Sequence, residues 1–274
     1  MPEFTRLLAA ERPDDIALRD ARQGLTWQAT GDILDRVANR LQGTDLGARR
    51  RIAVFAENAN ETALAHLGGL LGGASTVPVN FHLTAAETAY IIGDSESSIV
   101  FVGPQTVDRA IEAADLMVAS GSTRPQIVGW RCDGRDGVVD WDEWVSGGPP
   151  GDPSMAIEPL PNMLYTSGTT GLPKGTELPP TMFAGGSTMV EHLQALRQNR
   201  FAAFGTHLVV GPMYHTGPLS GMRLLVAGIA SVILDRFDPE ETLAAIDRYR
   251  TETAVMVPTH FVRLLALADE VKAK

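Results

Sequence analysis

The chain has 274 residues, of which 44% are hydrophobic and 20% are charged, and its formal net charge is −10. This composition is typical of a globular protein with a large core, and the acidic balance offers no general attraction for nucleic acid or an anionic membrane. Cys132 is the only cysteine, so no internal disulfide can form and a reducing, cytoplasmic compartment is expected.

From residue 51 onward, short apolar runs that predict strands alternate with patterns that predict helices. Thr84 and Glu87 have the spacing of a capping box and mark one helix start. The turn-rich stretch at 131–153 is interpreted as a linker or surface excursion. In this first half the predicted strands are 51–57, 75–80, 97–103 and 124–130, and the predicted helices are 61–73, 84–94 and 106–120.

The second half continues the same alternation and ends on an amphipathic helix. The predicted strands are 162–168, 206–213, 230–235 and 252–258, and the predicted helices are 181–198, 220–229, 239–250 and 260–272. Nearly wholly apolar strands separated by helices imply parallel sheets that are covered on both faces. Because seven or eight strands are many for one sheet of this length, we predict an α/β fold with two packed, doubly wound parallel-sheet layers. The second sheet is expected to be incomplete, and no transmembrane segment is expected.

The stretch YTSGTTGLPKG at 165–175 continues directly from a predicted strand and is rich in glycine and hydroxyl side chains. The N–H groups and hydroxyls of such a loop suit a polyphosphate, and a lysine adds one positive charge. Two residues separate the last glycine from that lysine, which differs from the common nucleotide-triphosphatase loop. We predict that the phosphate-binding residues are Thr166, Ser167, Gly168, Thr169, Thr170, Gly171 and Lys174.

The same string resembles the phosphate-loop signature of the adenylate-forming superfamily, which includes acyl-CoA synthetases, luciferases and the adenylation domains of peptide synthetases. Stretches at 25–41, 77–101, 212–221 and 237–265 resemble the family in the same order, and the acyl-CoA synthetase branch fits best. The resemblance implies the large N-terminal domain of such an enzyme. Its parts would be an opening segment at 1–50 that packs with the second subdomain, a first α/β subdomain at 51–200 with the loop, and part of a second at 201–274.

In this family a carboxylate attacks the α-phosphate of ATP, and a thiol such as coenzyme A then displaces AMP. The resemblance therefore implies a carboxylic (fatty) acid, ATP, Mg²⁺ and coenzyme A as ligands of the full-length protein, and it is compatible with a homodimer. It implies that the loop clasps the β- and γ-phosphates and that His215 lies at the carboxylate pocket and gates thiol entry. No catalytic residue and no metal ligand are assigned in this portion; the implied pocket residues are Met213, Tyr214, His215 and Thr216.

Alternatives remain for some of these side chains. Met213 and Tyr214 either line an acyl tunnel or belong to the core, and His260 has a packing or second-sphere role in our interpretation. Glu177 departs from the family pattern, because it places an anion close to the loop and is expected to weaken nucleotide binding unless it points away.

The family's Tyr-Gly-x-Thr-Glu and Thr-Gly-Asp stretches and its C-terminal lid with a catalytic lysine are not found in the 274 residues. We therefore expect an enzyme fragment that does not complete adenylation alone. Two alternatives are a naturally short, non-catalytic protein that binds a nucleotide or a partner, and an acyl-AMP ligase that delivers its product to a carrier protein.

The loop assignment predicts that Mg·ATP raises the melting temperature of this chain weakly and that Lys174→Ala removes the effect. The substitution takes away the single cation of the loop, which would otherwise neutralise part of the phosphate charge. Thermal unfolding with and without millimolar ATP measures both quantities. No shift in the unsubstituted chain would contradict binding by the isolated loop.

Overall fold

The computed structural model describes residues 3–166, 172–198 and 203–272, and their strands form two five-stranded sheets and one two-stranded hairpin. The strands are β1 (Ile16–Arg19), β2 (Gly24–Thr26), β3 (Arg51–Phe55), β4 (Ser75–Pro78), β5 (Ile99–Val102), β6 (Gln126–Gly129), β7 (Val138–Asp140), β8 (Asn162–Thr166), β9 (Lys174–Leu178), β10 (His207–Val209), β11 (Ser231–Ile233) and β12 (Thr253–Ala254). The α-helices are α1 (Glu3–Glu11), α2 (Trp27–Gln42), α3 (Asn60–Leu71), α4 (Ala85–Ser95), α5 (Val107–Ala119), α6 (Trp141–Ser146), α7 (Met189–Arg197), α8 (Thr216–Met222), α9 (Pro239–Tyr249), α10 (Pro258–Leu265) and α11 (Asp269–Lys272).

The first sheet has the strand order β4-β3-β5-β6-β7, and all its strands are parallel. The central strands β3, β5 and β6 are mostly apolar because both of their faces are covered. In β3, Ile52 and Val54 point into one hydrophobic cluster, whereas Ala53 and Phe55 point into another. This alternation follows from the two-residue period of a strand, and it explains why the run looked continuous in the sequence.

The second sheet has the order β12-β10-β11-β1-β2, with β2 antiparallel to β1 and the other neighbours parallel. In β10, Val209 faces the interior between the two sheets, and Leu208 faces the opposite side with Val210. Two strands of this sheet, β1 and β2, come from the opening 50 residues. The subdomain boundaries at 50 and 200 remain a prediction.

The elements form layers in which helices alternate with sheets. Helices α2, α3 and α7 contribute to the cluster between the two sheets, α4 and α5 cover the outer face of the first sheet, and α9 covers the outer face of the second. Two packed, doubly wound layers were predicted, and the fold class is confirmed. The strand number was wrong, because the short strands β1, β2, β7 and β9 lack a long apolar run.

The interpretation of 131–153 as a linker or surface excursion is also wrong. This stretch forms β7 and α6, and Trp141 and Trp144 are 4% and 1% exposed. The two indoles pack edge-on against Phe101, with ring centroids 5.8 and 5.1 Å away. A six-residue helix is too short to show a helical period, so the glycines and aspartates around it dominated the pattern.

Other boundaries also differ from the prediction. The helix predicted at 260–272 is two helices, α10 and α11, separated at residues 266–268. The helix predicted at 181–198 is reduced to α7, because Gly186 adopts a φ of +106° just before it. The helix predicted at 220–229 starts earlier, with α8, and continues as a 3₁₀ turn, Arg223–Ala227. The strand predicted at 252–258 shrinks to β12, because Pro258 opens α10. The capping box of Thr84 and Glu87 is confirmed at the start of α4.

The buried side chain of Asn58 connects the two large sheets. It follows β3 of the first sheet, and its Nδ2 donates to the carbonyl oxygens of Gly211 (3.0 Å) and Leu234 (2.9 Å), which follow β10 and β11. Its Oδ1 accepts from the backbone N–H of Met213 at 2.9 Å. Three backbone groups at the ends of the second sheet are thereby satisfied by one amide.

Asn58→Ala is expected to lower the free energy of unfolding by about 2–4 kcal/mol, because it leaves buried backbone groups without partners. Urea unfolding of the 274-residue chain measures the change. Asn39→Ala is the matched control, because Asn39 also donates to two carbonyl oxygens, of Pro149 and Gly151, but is only partly buried. A loss as small as that of the control would show that the Asn58 contacts are dispensable.

Candidate functional site

The predicted phosphate loop connects the two strands of the β8–β9 hairpin. The strands are antiparallel, and Thr166, the last residue of β8, lies directly opposite Lys174, the first residue of β9. Directly opposed residues have Cα atoms about 4.5–5.5 Å apart, so the two side chains start from neighbouring positions at the loop's mouth. Of the other predicted phosphate ligands, Ser167, Gly168, Thr169, Thr170 and Gly171 lie outside the described residues.

Two tyrosines fix the ends of the loop to α4. The hydroxyl of Tyr165 donates to Oδ2 of Asp94 at 2.5 Å, and the hydroxyl of Tyr90 donates to the carbonyl oxygen of Pro173 at 3.1 Å. Burial, together with the hydrogen bond to Asp94, raises the pKa of Tyr165, so the phenol keeps its proton as a donor. A Cβ added at Gly175 would lie 2.0 Å from Cε of Met163, so a larger residue there would displace the end of the Met163 side chain.

Lys174 is exposed and forms no ion pair within the described part of the chain. Glu177, three residues further along β9, projects from the opposite face of the strand. Its Oε1 lies 2.5 Å from Nη2 of Arg51, whose side chain is only 6% exposed. The carboxylate therefore points away from the loop and neutralises a buried guanidinium. Weaker nucleotide binding was expected unless Glu177 points away from the loop. Because Glu177 does point away, that expectation does not apply.

The four predicted pocket residues form a turn at the end of β10. Met213 is buried and bonded to Asn58, and Tyr214 packs edge-on against Phe81, with ring centroids 5.7 Å apart. His215 is exposed, lies with its ring centroid 4.4 Å from that of Tyr214, and occupies the N-cap position of α8, followed by Thr216 as the first helical residue. Desolvation lowers the pKa of His215, so its imidazole is neutral at pH 7.

A cavity of about 440 Å³ lies beside α8. None of the four predicted pocket residues lines it. They end at the first residue of α8, whereas the C-terminal half of that helix and the following turn form one wall. The cavity is otherwise apolar on most sides, and it is lined by Met182, Phe183, Leu196, His207, Ser220, Gly221, Leu224, Thr253, Ala254, Val255 and Met256.

Arg223 connects the cavity region to the phosphate hairpin. Its side chain is buried, its Nη2 donates to Oδ1 of Asn162, the first residue of β8, at 2.8 Å, and its guanidinium lies 4.0 Å from the ring centroid of Phe183. Burial lowers the pKa of Arg223 to about 10, which still leaves it charged at pH 7. A buried cation thereby fixes the start of β8 relative to α8.

Several positioning residues were missed in the sequence. Asn58 had one signal, because a polar residue just after a buried strand lies at the sheet edge where ligands collect. No local sequence pattern identifies Arg51, Tyr90 or Asp94 as positioning residues, because their partners are more than 70 residues away in the chain. His260 stacks on Phe237 with ring centroids 4.1 Å apart, which is a packing contact.

Within residues 3–166, 172–198 and 203–272, no cluster of three or more histidine, cysteine, aspartate or glutamate side chains could hold a metal ion. None of the helices in the same ranges has the length and apolar character needed to cross a bilayer.

Comparison with known proteins places these features in a family. A family model described as AMP-binding enzyme matches residues 6–274. The indoleacetate–CoA ligase of Aromatoleum aromaticum is 25% identical over 268 residues, which are 94% of this chain and 49% of that protein. The chain thus spans about half the length of the curated relatives it matches.

Solved structures share the fold at low sequence identity. A Mycobacterium tuberculosis fatty acyl CoA synthetase superposes with a TM-score of 0.73 at 19% identity over 98% of this chain and 51% of that one. The o-succinylbenzoate CoA synthetase of Bacillus subtilis, in complex with its acyl-adenylate intermediate, has a TM-score of 0.68 at 21% identity over 98% of this chain and 65% of that one.

Glu177→Ala is expected to change the Kd for Mg·ATP by less than about twofold, because this carboxylate faces away from Lys174. It is expected to lower the free energy of unfolding by about 1–2 kcal/mol, because Arg51 loses a charged hydrogen-bond partner. Glu112→Ala, at an exposed site on α5, is the control and should change neither quantity. Titration calorimetry and urea unfolding give the two values, and a severalfold gain in ATP affinity would show that Glu177 repels the phosphates.

Proposed function

This chain belongs to the AMP-binding enzyme family, and on that premise we propose that it is the N-terminal part of an ATP-dependent carboxylic acid–CoA ligase. The full-length protein would activate a carboxylic acid as its acyl-adenylate and transfer the acyl group to coenzyme A. The register of the hairpin supports this most directly, because it places Thr166 opposite Lys174 at the mouth of the loop. Within the described part of the chain, Lys174 has no ion-pair partner.

The loop would bind the β- and γ-phosphates of ATP. Lys174 would neutralise phosphate charge, and Thr166 would donate a hydrogen bond, together with Ser167, Gly168, Thr169, Thr170 and Gly171. Preorganised donors of this kind reduce the repulsion between a carboxylate and a polyphosphate. Mg²⁺ commonly binds through substrate phosphates and few protein carboxylates, so we propose that it enters with ATP.

The acid would bind with its carboxylate toward His215 and its apolar body in the cavity beside α8. The cavity is large enough for a small acid, since ligand pockets commonly have about 300–1,000 Å³. Tyr214 and Thr216 would line the entrance, and Met213 would support it from the core. A neutral imidazole at His215 adds no positive charge at the carboxylate, and in this proposal the same residue gates the entry of the coenzyme A thiol.

The non-catalytic alternative has lost part of its support. Glu177 was the feature of the loop that favoured it, and this side chain is bound to Arg51. The choice between coenzyme A and a carrier protein as acceptor, a role in fatty acid metabolism, a cytoplasmic location and a homodimeric state remain parts of the proposal that depend on the full-length protein.

The proposed function can be tested by measuring the mass and the activity of the protein that is expressed from its natural gene. We expect an intact mass near twice 29.4 kDa, and carboxylate-dependent ATP–pyrophosphate exchange that Lys174→Ala lowers by about a hundredfold. The 274-residue chain should bind Mg·ATP without exchange. A mass near 29.4 kDa would instead favour the short binding protein. Robust exchange by the 274-residue chain would show that no further segment is needed.

A further inference from the structure

A second cavity, of about 420 Å³, lies between α9 and the neighbouring parallel strands β1 and β11. Three arginines line it: Arg19 at the end of β1, Arg22 in the loop between β1 and β2, and Arg248 near the end of α9. This cavity shares no lining residue with the one beside α8, and neither Thr166 nor Lys174 lines it. It is therefore separate from the candidate site described above.

The three guanidinium groups have no anionic partner among the residues that the structure describes. None of the three forms an ion pair there. Arg22 and Arg248 are exposed, and the guanidinium of the half-buried Arg19 keeps its contact with solvent. The chain has 33 acidic residues against 23 lysines and arginines. Because carboxylates are in excess, three arginines that line one cavity without an ion pair are available to an anionic ligand.

The ring of Tyr249 holds two of these cations at the same place. Cζ of Arg19 lies 5.5 Å and Cζ of Arg248 lies 5.9 Å from its centroid. A cation–π contact attracts a guanidinium to the ring without a hydrogen-bond acceptor, so the N–H donors remain for a ligand. The two groups are thus positioned by an aromatic side chain and are still able to bind.

Two carboxylates also line the cavity, and only one of them is uncommitted. Asp20 is 7% exposed; its Oδ1 accepts from the backbone N–H groups of Arg22 and Gln23 at 2.9 Å, and its Oδ2 accepts from that of Asn60 at 3.0 Å. Glu241 is exposed and forms no ion pair within the described part of the chain. The groups free to act on a ligand are therefore three cations and one anion.

The charge and the walls of the cavity narrow the class of ligand. A phosphate monoester carries about −1.5 to −2 charges at pH 7, which matches three cations and one anion, whereas a single carboxylate neutralises only half of that excess. Guanidinium groups bind phosphate oxygens in a bidentate geometry. Val232, Leu234, Ala244 and Ala245 supply apolar wall, and a cavity of this size suits a small organic molecule.

We propose that Arg19, Arg22 and Arg248 bind the phosphate group of a small phosphate monoester, at a site separate from the phosphate loop. This site does not depend on the proposed function. A ligand bound there connects β1, from the opening 50 residues, to α9 on the outer face of the second sheet. It therefore stabilises the folded chain in proportion to its concentration and affinity.

The probe is phenyl phosphate, titrated into the 274-residue chain with ¹³C-labelled tyrosine rings and followed by NMR. The chain has four tyrosines, and Tyr249→Phe assigns the signal of the site. We expect the Tyr249 signal to move saturably, because the phosphate binds the two guanidinium groups that contact its ring. Tyr90 and Tyr165, which fix the ends of the phosphate loop, report any binding there in the same spectrum.

Variants test the charges. Arg248→Gln is expected to weaken binding about tenfold, because the phosphate loses charged hydrogen bonds. Glu241→Gln is expected to strengthen it about three- to fivefold, because a nearby negative charge is removed. Arg236→Gln is the matched control, since Arg236 is exposed and lies outside the cavity, without an ion pair among the described residues.

A Tyr249 signal that stays in place at millimolar phenyl phosphate would overturn the site. Movement of the Tyr90 and Tyr165 signals alone would also overturn it, because the phosphate would then bind only at the loop. Equal weakening by Arg236→Gln and Arg248→Gln would show attraction to overall charge instead of a site. The unsubstituted chain and Glu241→Gln decide the question even if Arg248→Gln does not fold.

Discussion

The buried amide of Asn58 is the interaction on which the arrangement of the site depends. Parallel strands end in backbone groups that have no partner within the sheet, and two such carbonyls meet between the sheets. One side chain from the first sheet satisfies both of them and also the N–H of Met213. The turn that carries His215 follows a strand of the second sheet but is held by Asn58 from the first sheet. Neither sheet can therefore shift relative to the other without breaking buried hydrogen bonds.

The phosphate hairpin is a third unit that must be fixed from outside, because β8 and β9 pair only with each other. The contacts that hold it come from three parts of the chain: Tyr90 and Asp94 from α4, Arg51 from β3, and Arg223 from the turn after α8. They are one ion pair and three hydrogen bonds, whereas Lys174 is left exposed. A loop whose ends are fixed and which has an exposed cation at one end suits the proposed binding of a polyanion.

The sequence predicted the site residues more readily than it predicted their supports. The loop string and the histidine turn were found because their chemistry lies in consecutive residues. The packing of Trp141 and Trp144 against Phe101 was missed, because the two tryptophans lie on a helix of six residues among turn-forming residues. The direction of Glu177 was open as well, because a strand residue can face either side and only the position of Arg51 decides it.

The sequence by itself determined the α/β class and the order of the longer elements, and it predicted the phosphate loop, because periodicity, capping and motif spacing are local properties of the chain. Only the tertiary structure decided that β1 joins β11, that Asn58 joins the two sheets, and that Arg19 and Arg248 contact one tyrosine ring. The reason is that pairing between strands and burial of polar atoms depend on residues far apart in the chain. Local patterns carry no information about which distant groups will meet.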